Sequence, residues 1–274
     1  MAFIINQIQN CKILITWEGM NNYVTDAINL KSYNLSESDK IIVMYSKEKG
    51  LIKAIAKGVK KTKSKLGARM DSLVANTVML HKGRTFNTIC QADSINTFKQ
   101  TRSDLDKIFY SMYIAEIVNN FGLEDDPSSE SVYNLLYQAL NYISKAQNKV
   151  EILLTVIKFQ LKMMKECGLS LEFDSCLNCR HETKDEAVYF VPDLGGIVCS
   201  DCTNITPYSK KLMPAKLCEF FKQMSKNNFD EFGGFERKAN EKVCNVTFEV
   251  LKSYIEKKSP KKIKTSGVLS QIPV

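Results

Sequence analysis

Apolar residues recur with two different periods along the chain, and the change comes near residue 100. Before it they fall in short runs. Val24 to Tyr33 mixes apolar and polar residues in near alternation, and Lys40-Ile-Ile-Val-Met-Tyr45 is a run of the buried-strand type. Lys47-Glu-Lys-Gly50 then turns into Leu51-Ile-Lys-Ala-Ile-Ala56. Leu73 to Leu80 and Thr85 to Cys90 complete the set, with a turn at His81-Lys-Gly-Arg84 between them. Five short β-rich segments in 75 residues fit a small barrel better than an open sheet. The OB-fold is the best-known five-stranded barrel that binds nucleic acid, and the pattern alone leaves an SH3-like barrel open.

From Thr101 the period becomes helical. Thr101-Arg-Ser-Asp104 resembles a capping box, and Leu105, Ile108, Phe109, Met112 and Tyr113 form the first stripe. Gly122 and the acidic turn Glu124-Asp-Asp-Pro127 end that helix, and Asp126 is placed to cap the next, with Pro127 in its first turn. Val132, Leu135, Leu136, Ala139, Leu140 and Ile143 form a second stripe; Val150 to Cys167 forms a third, stopped by Gly168. Leu212 to Met224 and Val243 to Ile255 also read as helices, separated by Gly233-Gly234. The fold class expected is α+β and multidomain. An N-terminal extension (1–22) precedes a five-stranded OB-fold β-barrel (23–98). An α-helical domain (99–256) follows, with a four-cysteine zinc module inserted at 173–206. A basic tail (257–274) lacks a sustained apolar period and is expected to be flexible.

Composition narrows the class. The chain has 274 residues, 44% hydrophobic and 25% charged, ordinary for a soluble globular protein. No apolar run approaches the ~20 residues that cross a bilayer, and the N-terminal stretch has no basic start or small-residue cleavage site. Nine cysteines without an export signal point to a reducing cytoplasm. The net charge of +8 is unevenly placed. Residues 24 to 98 hold 13 Lys or Arg against 6 Asp or Glu, and the stretch from Lys257 onward has five lysines and no acid. This asymmetry suggests an anionic partner for the N-terminal part.

The sharpest chemical motif is Cys176-Leu-Asn-Cys179, then 19 residues, then Cys199-Ser-Asp-Cys202. Two CxxC knuckles at this distance read as one tetrahedral zinc site. The intervening stretch doubles back through two short strands, Ala187 to Val191 and Gly196 to Val198, about the turn Pro192-Asp-Leu-Gly-Gly196. Four thiolates close the coordination shell, so one structural Zn²⁺ is expected and no catalytic one. His181 stands nearby as an alternative ligand. Disulfides are disfavoured by the compartment, and a thioredoxin-like site lacks its βαβ context. The other cysteines (Cys11, Cys90, Cys167, Cys218, Cys244) read as small buried hydrophobes.

A second motif is the single-sign run from Lys49 to Arg69. Its centre, with Gly58, Thr62, Ser64 and Gly67, reads as a mobile loop between strands. A charge run is ordinarily a solvated face, but this one sits in the domain that holds most of the positive charge. Lysines suit phosphate contacts, which need charge but little geometry. The candidate DNA-binding residues are Lys53, Lys57, Lys60, Lys61, Lys63, Lys65 and Arg69, joined by Lys82 and Arg84 from the next turn. Tyr23, Tyr33, Tyr45, Phe86 and Phe98 are candidate stacking aromatics, each better explained as core; binding is expected to follow the backbone and tolerate sequence. No catalytic motif is present: no phosphate-binding glycine loop, no GxSxG, no HExxH. Asp104 and Asp106 are explained as helix-start residues.

With barrel, basic loop, helices and four-cysteine module in that order, the chain resembles the RecO family of bacterial recombinational-repair proteins. Ser36-Glu-Ser-Asp-Lys-Ile41 resembles the family's first hairpin. Lys57-Gly-Val-Lys-Lys-Thr-Lys-Ser-Lys-Leu-Gly-Ala68 resembles its basic segment, and His81-Lys-Gly-Arg84 with Gln91-Ala-Asp93 its later turn and strand. Gly168-Leu169, Phe190 and Gly195-Gly196 around the four cysteines resemble its zinc region. The likeness spans about Tyr23 to Lys226. It begins near Met20, which points to Met20 as the native start. It implies a non-enzymatic mediator, cytoplasmic and nucleoid-associated, that binds single- and double-stranded DNA and anneals complementary strands. It also implies work with RecR to help RecA displace single-strand-binding protein, and contact with that protein's acidic C-terminal tail. An RNA-binding barrel protein is the alternative reading. A small-GTPase activator with a similar four-cysteine finger is a third, set aside because Cys202 is followed by Thr203-Asn-Ile and not by an arginine.

Overall fold

The computed structural model describes residues 21–183, 187–226, 229 and 239–269. The extension before residue 21, with Cys11 and Met20, the Gly233-Gly234 pair and the last five residues lie outside the described residues. Strands β1 (Asn22–Asn34), β2 (Lys40–Ser46), β3 (Gly50–Ala56), β4 (Ala75–His81) and β5 (Asn87–Asn96) form the N-terminal sheet. They neighbour one another in the order β1-β2-β3-β5-β4, with β4 returning to β1. Alternation sends Ala27, Ile42, Met44, Ile52, Ala54, Val78, Leu80, Ile89 and Ala92 into its interior. β5 continues well past Cys90, through the mostly polar stretch Gln91 to Asn96.

The expected OB-fold barrel needs correction at one seam. Four of the strand contacts are antiparallel ladders of seven residue pairs each. The β3–β5 seam is parallel and holds two pairs, Ala54 with Asn87 and Ile55 with Thr88. The sheet is therefore not a barrel closed along its length: below the seam, Gly50 to Lys53 have no β5 partner. The unpaired edge of β3 bonds elsewhere, with the Leu51 N–H donating to the Leu123 carbonyl at 2.9 Å. The sheet also packs against the helices. Ile28, Leu30, Tyr45, Leu73, Ala75 and Phe98 belong to the same buried core as the helices.

Helices α1 (Leu105–Phe121), α2 (Ser129–Lys145) and α3 (Lys149–Glu166) follow. Asp104 caps α1 with its own side chain, accepting from the Lys107 N–H at 3.0 Å; the expected cap at Thr101 falls inside a short 3-10 turn, Lys99–Ser103. Asp126 binds Ser128 just ahead of α2, and Pro127 precedes the helix. Gly168 ends α3 at φ +69. The cysteine region contributes β6 (Val188–Val191) and β7 (Gly196–Val198), and a third strand, β8 (Lys211–Met213), lies where a helix start was expected. The sheet order is β7-β6-β8. Helices α4 (Ala215–Lys226) and α5 (Glu241–Lys258) complete the body, and a short α6 (Thr265–Leu269) lies within the expected flexible tail. Ile263 and Leu269 of that segment are buried. Among the described residues no helix is long and apolar enough to cross a membrane.

Candidate nucleic-acid interface and metal centre

The basic loop after β3 is anchored, which corrects the expectation of a mobile loop. Val59 and Met70 are buried in the sheet interior and Leu66 packs against it, so one apolar residue near each end and one in the middle plug the barrel-like mouth. The Gly58 N–H donates to Asp39 Oδ1 at 2.7 Å, and the Lys60 N–H donates to the Ser38 carbonyl at 3.0 Å. That Gly58 N–H, then the Ser38 hydroxyl, hold the Asp39 carboxyl below its ordinary range. At the other end, the Arg69 carbonyl accepts from the side-chain amides of Asn29 and Asn76, both at 2.8 Å. These two buried amides are built into β1 and β4.

With the backbone pinned, the charges point outward. Lys57, Lys60, Lys61, Lys63 and Lys65 are exposed, and none forms an ion pair among the described residues. The Lys60 ammonium reaches the Ser36 carbonyl at 2.9 Å, while Arg69 is half-buried and folds back onto the Lys65 carbonyl. Lys53 lies apart from this cluster, on the outer face of β3, which alternation shares with Lys57. Lys53 meets Lys82 and Arg84 across the open edge of β3, where they line a cleft of about 750 Å³ with Tyr23, Phe86 and Lys49. Glu124 and Asp125 supply its acidic wall, and Asp125 pairs with Lys49 at 3.2 Å. The nine predicted residues thus form two groups, one on the loop and one in the cleft. Of the five aromatics, Tyr45 and Phe98 are core, Tyr23 and Phe86 line the cleft, and Tyr33 is 51% exposed.

The four cysteines come together as their spacing predicts. Cys176, Cys179, Cys199 and Cys202 place their sulfurs within 4.8 Å of one another. Each pair sits on a tight turn: the Arg180 N–H donates to the Cys176 carbonyl at 2.9 Å, and the Cys202 N–H donates to the Cys199 carbonyl at 3.2 Å. Cys179 and Cys199 Sγ lie 3.7 Å apart. A tetrahedral ion with metal–sulfur bonds of about 2.3 Å sets sulfurs about 3.8 Å apart, whereas a disulfide needs about 2.05 Å. The donor set therefore fits a metal ion. Burial pushes the Cys176 thiol up, but the N–H groups of Cys179, Cys199 and Asn178 outweigh it and bring the thiol down to about 6. Burial pushes Cys199 up to about 12, so its thiolate needs a cation beside it. His181 stays outside the cluster; its carbonyl accepts from the Cys176 N–H at 2.9 Å.

This module is fastened to the helices. Phe173 stacks between Phe190 of β6 and Phe221 of α4. The hairpin turn rests on α5, where a Cβ on Gly195 would lie 2.7 Å from the Tyr254 ring. The Tyr254 hydroxyl donates to the Leu169 carbonyl at 3.0 Å, and Lys257 pairs with Asp193.

Sheet, anchored basic loop, helices and four-thiol cluster follow one another in the order that the sequence resemblance implies. Comparison with known proteins agrees. The family model described as Recombination protein O N terminal matches residues 20–98, and the one described as Recombination protein O C terminal matches residues 102–266. The DNA repair protein RecO of Desulforamulus reducens is 29% identical over 255 residues, 92% of this chain and 96% of the relative. Those of Pelotomaculum thermopropionicum and Acetivibrio thermocellus are 33% and 32% identical over 183 residues, 67% of this chain in each case and 69% and 71% of the relatives. The chain belongs to the recombination protein O family, whose members are non-enzymatic mediators of DNA repair and recombination.

Proposed function

We propose that this protein binds single- and double-stranded DNA through Lys57, Lys60, Lys61, Lys63, Lys65 and Arg69 of the loop, with Lys53, Lys82 and Arg84 of the cleft. The observation that carries the reading is the pinned loop, whose exposed ammonium groups lack carboxylate partners. A phosphate backbone is the polyanion that meets such a surface without demanding fixed geometry. Neutralising two strands at once lowers their repulsion, and annealing of complementary strands follows from that. By the family resemblance, the protein works in the cytoplasm at the nucleoid. With RecR it helps load RecA onto strands coated by single-strand-binding protein, whose acidic C-terminal tail it contacts. The four cysteines hold one structural Zn²⁺, and the ion braces the helical body without taking part in DNA contact.

The test is annealing of complementary DNA strands precoated with single-strand-binding protein, with the wild-type protein and with Lys57, Lys60, Lys61, Lys63 and Lys65 changed together to Ala. The wild type accelerates annealing and the variant does not. No acceleration by the wild type, or equal acceleration by both, refutes the reading. Matched RNA competing as well as DNA would move the assignment to an RNA-binding protein.

A further inference from the structure

The segment after α5 is strapped to α1. The Asn120 side-chain amide donates to Ser259 Oγ and to the Lys261 carbonyl, both at 3.2 Å. Ile263 is buried. Glu116 then takes the start of α6. Its carboxylate accepts from the Lys264 N–H at 3.0 Å, the Thr265 N–H at 2.9 Å and the Thr265 hydroxyl at 2.7 Å. Burial of Glu116 opposes its charge, yet these bonds outweigh it and hold the carboxyl below its ordinary value. One consequence concerns the lysines. Lys257 and Lys258 turn toward Asp193 of the cysteine module. Lys261, Lys262 and Lys264 are exposed, and none of the three forms an ion pair among the described residues. The carboxylate of Glu116 is bonded to the backbone N–H groups and hydroxyl at the start of α6, and forms no ion pair with these three ammonium groups among the described residues.

This second basic surface has a path to the first. Lys31 of β1 stands close enough to Glu116 to help hold it charged. Two residues on, the exposed Tyr33 ring lies under the Lys31 ammonium, 5.4 Å from its centroid. The strand then enters the turn whose Ser36 and Ser38 carbonyls are bonded by Lys60. At about 3.4 Å per residue, Lys31 to Ser36 spans roughly 17 Å. Cation, aromatic face and cation thus succeed one another from the strap to the loop. A ring face can stack on a base only when the base is unpaired.

We infer that Lys261, Lys262 and Lys264 of the strap, with Lys31 and Tyr33, extend the loop into one continuous track for single-stranded DNA. The lysines take phosphates and Tyr33 takes a base. This rests on the DNA-binding reading above and adds to it the strap, a base platform and a preference for unpaired strands along this path.

The test uses the full chain and thymidine oligonucleotides of graded length, titrated by fluorescence anisotropy at several salt concentrations. Changing Lys261, Lys262 and Lys264 together to Ala leaves short strands, which the loop alone accommodates, bound as before. It weakens long strands at least ten-fold and flattens their salt slope by about 2, at ~0.7 per phosphate contact. Tyr33→Ala weakens single strands about ten-fold and leaves duplex unchanged, while Tyr33→Phe behaves as wild type. The inference falls if the strap variant matches wild type at every length. It also falls if the variant changes the number of strands bound and not the length dependence, or if Tyr33→Ala weakens duplex as much as single strands. Failure here is separable from failure of the underlying reading. If the five-lysine loop variant loses binding and the strap variant does not, this extension alone is wrong; if the loop variant binds normally, the underlying reading is wrong.

Discussion

Gly50 sits at one of the close contacts between the sheet and the helices, and its replacement by alanine has a calculable cost. It is the first residue of β3, at φ +63 where the turn from β2 ends. A Cβ there would lie 2.3 Å from the Leu123 carbonyl oxygen, a backbone atom that cannot swing away. The left-handed backbone costs a non-glycine residue about 1–2 kcal/mol, offset by about 0.4–1 kcal/mol from the stiffer unfolded chain. Relief of the clash requires the turn to part from the α1–α2 connection. Two backbone hydrogen bonds cross that junction, Leu51 N–H to Leu123 O at 2.9 Å and Asp125 N–H to Lys49 O at 2.8 Å. At about 1 kcal/mol each, their loss brings the expected destabilisation to roughly 3 kcal/mol. For a chain of this size that lowers the thermal midpoint by roughly 6–12 °C. Gly168→Ala is the matched control, because Gly168 has φ +69 but nothing within 4 Å of its virtual Cβ. It should show the conformational cost alone, about 1 kcal/mol. Thermal and urea unfolding of both variants decide the matter. Equal destabilisation by the two would refute the claim that the β2–β3 turn is clamped by the helical body.

Three further outcomes follow from the metal centre, the strap and the loop. Purified protein should carry about one zinc per chain, and Cys199→Ser should lose soluble protein, since structural zinc is worth ~10–16 kcal/mol in small modules; normal folding without metal would contradict the bracing role. Glu116 has a folded pKa below its ordinary value of 4.5, so its contribution is complete above that pH and fades as the pH falls through the lower folded value. Hydrogen-exchange protection at residues 261–269, relative to the intrinsic rate at each pH, should therefore fall selectively below about pH 4.5, and Glu116→Gln should lower it at neutral pH; unchanged protection in that variant would remove the clamp. Asp39→Ala should loosen the loop at Gly58 and raise its proteolytic sensitivity while the sheet stays folded, and an unaltered cleavage rate would show that the apolar plugs suffice.

Much of this molecule is legible in its sequence because the signals are local. CxxC spacing encodes a tetrahedral pocket directly, and the period change at residue 101 marks where strands yield to helices. The features that escaped are tertiary. Val59, Leu66 and Met70 are spaced too widely to show a period, so the loop reads as mobile until the sheet interior that receives them is known. β8 is three residues long, too short for alternation to register against the helix that follows. Ile263 and Leu269 bury themselves on α1, whose Glu116 lies about 150 residues earlier, a partnership no window along the chain can reveal. The grouping of Lys53 with Lys82 and Arg84 depends on the two-pair β3–β5 seam, which leaves β3 open where a full ladder would have covered it.

The most direct test of the central claim is equilibrium binding of single-stranded DNA across a salt series, comparing wild type with the variant in which Lys57, Lys60, Lys61, Lys63 and Lys65 are all Ala. Loss of five phosphate contacts at ~0.7 each predicts a log K against log salt slope flatter by about 3–4, with weaker binding at low salt and an unchanged circular dichroism spectrum. The same slope and affinity in both proteins would place the DNA-binding surface elsewhere.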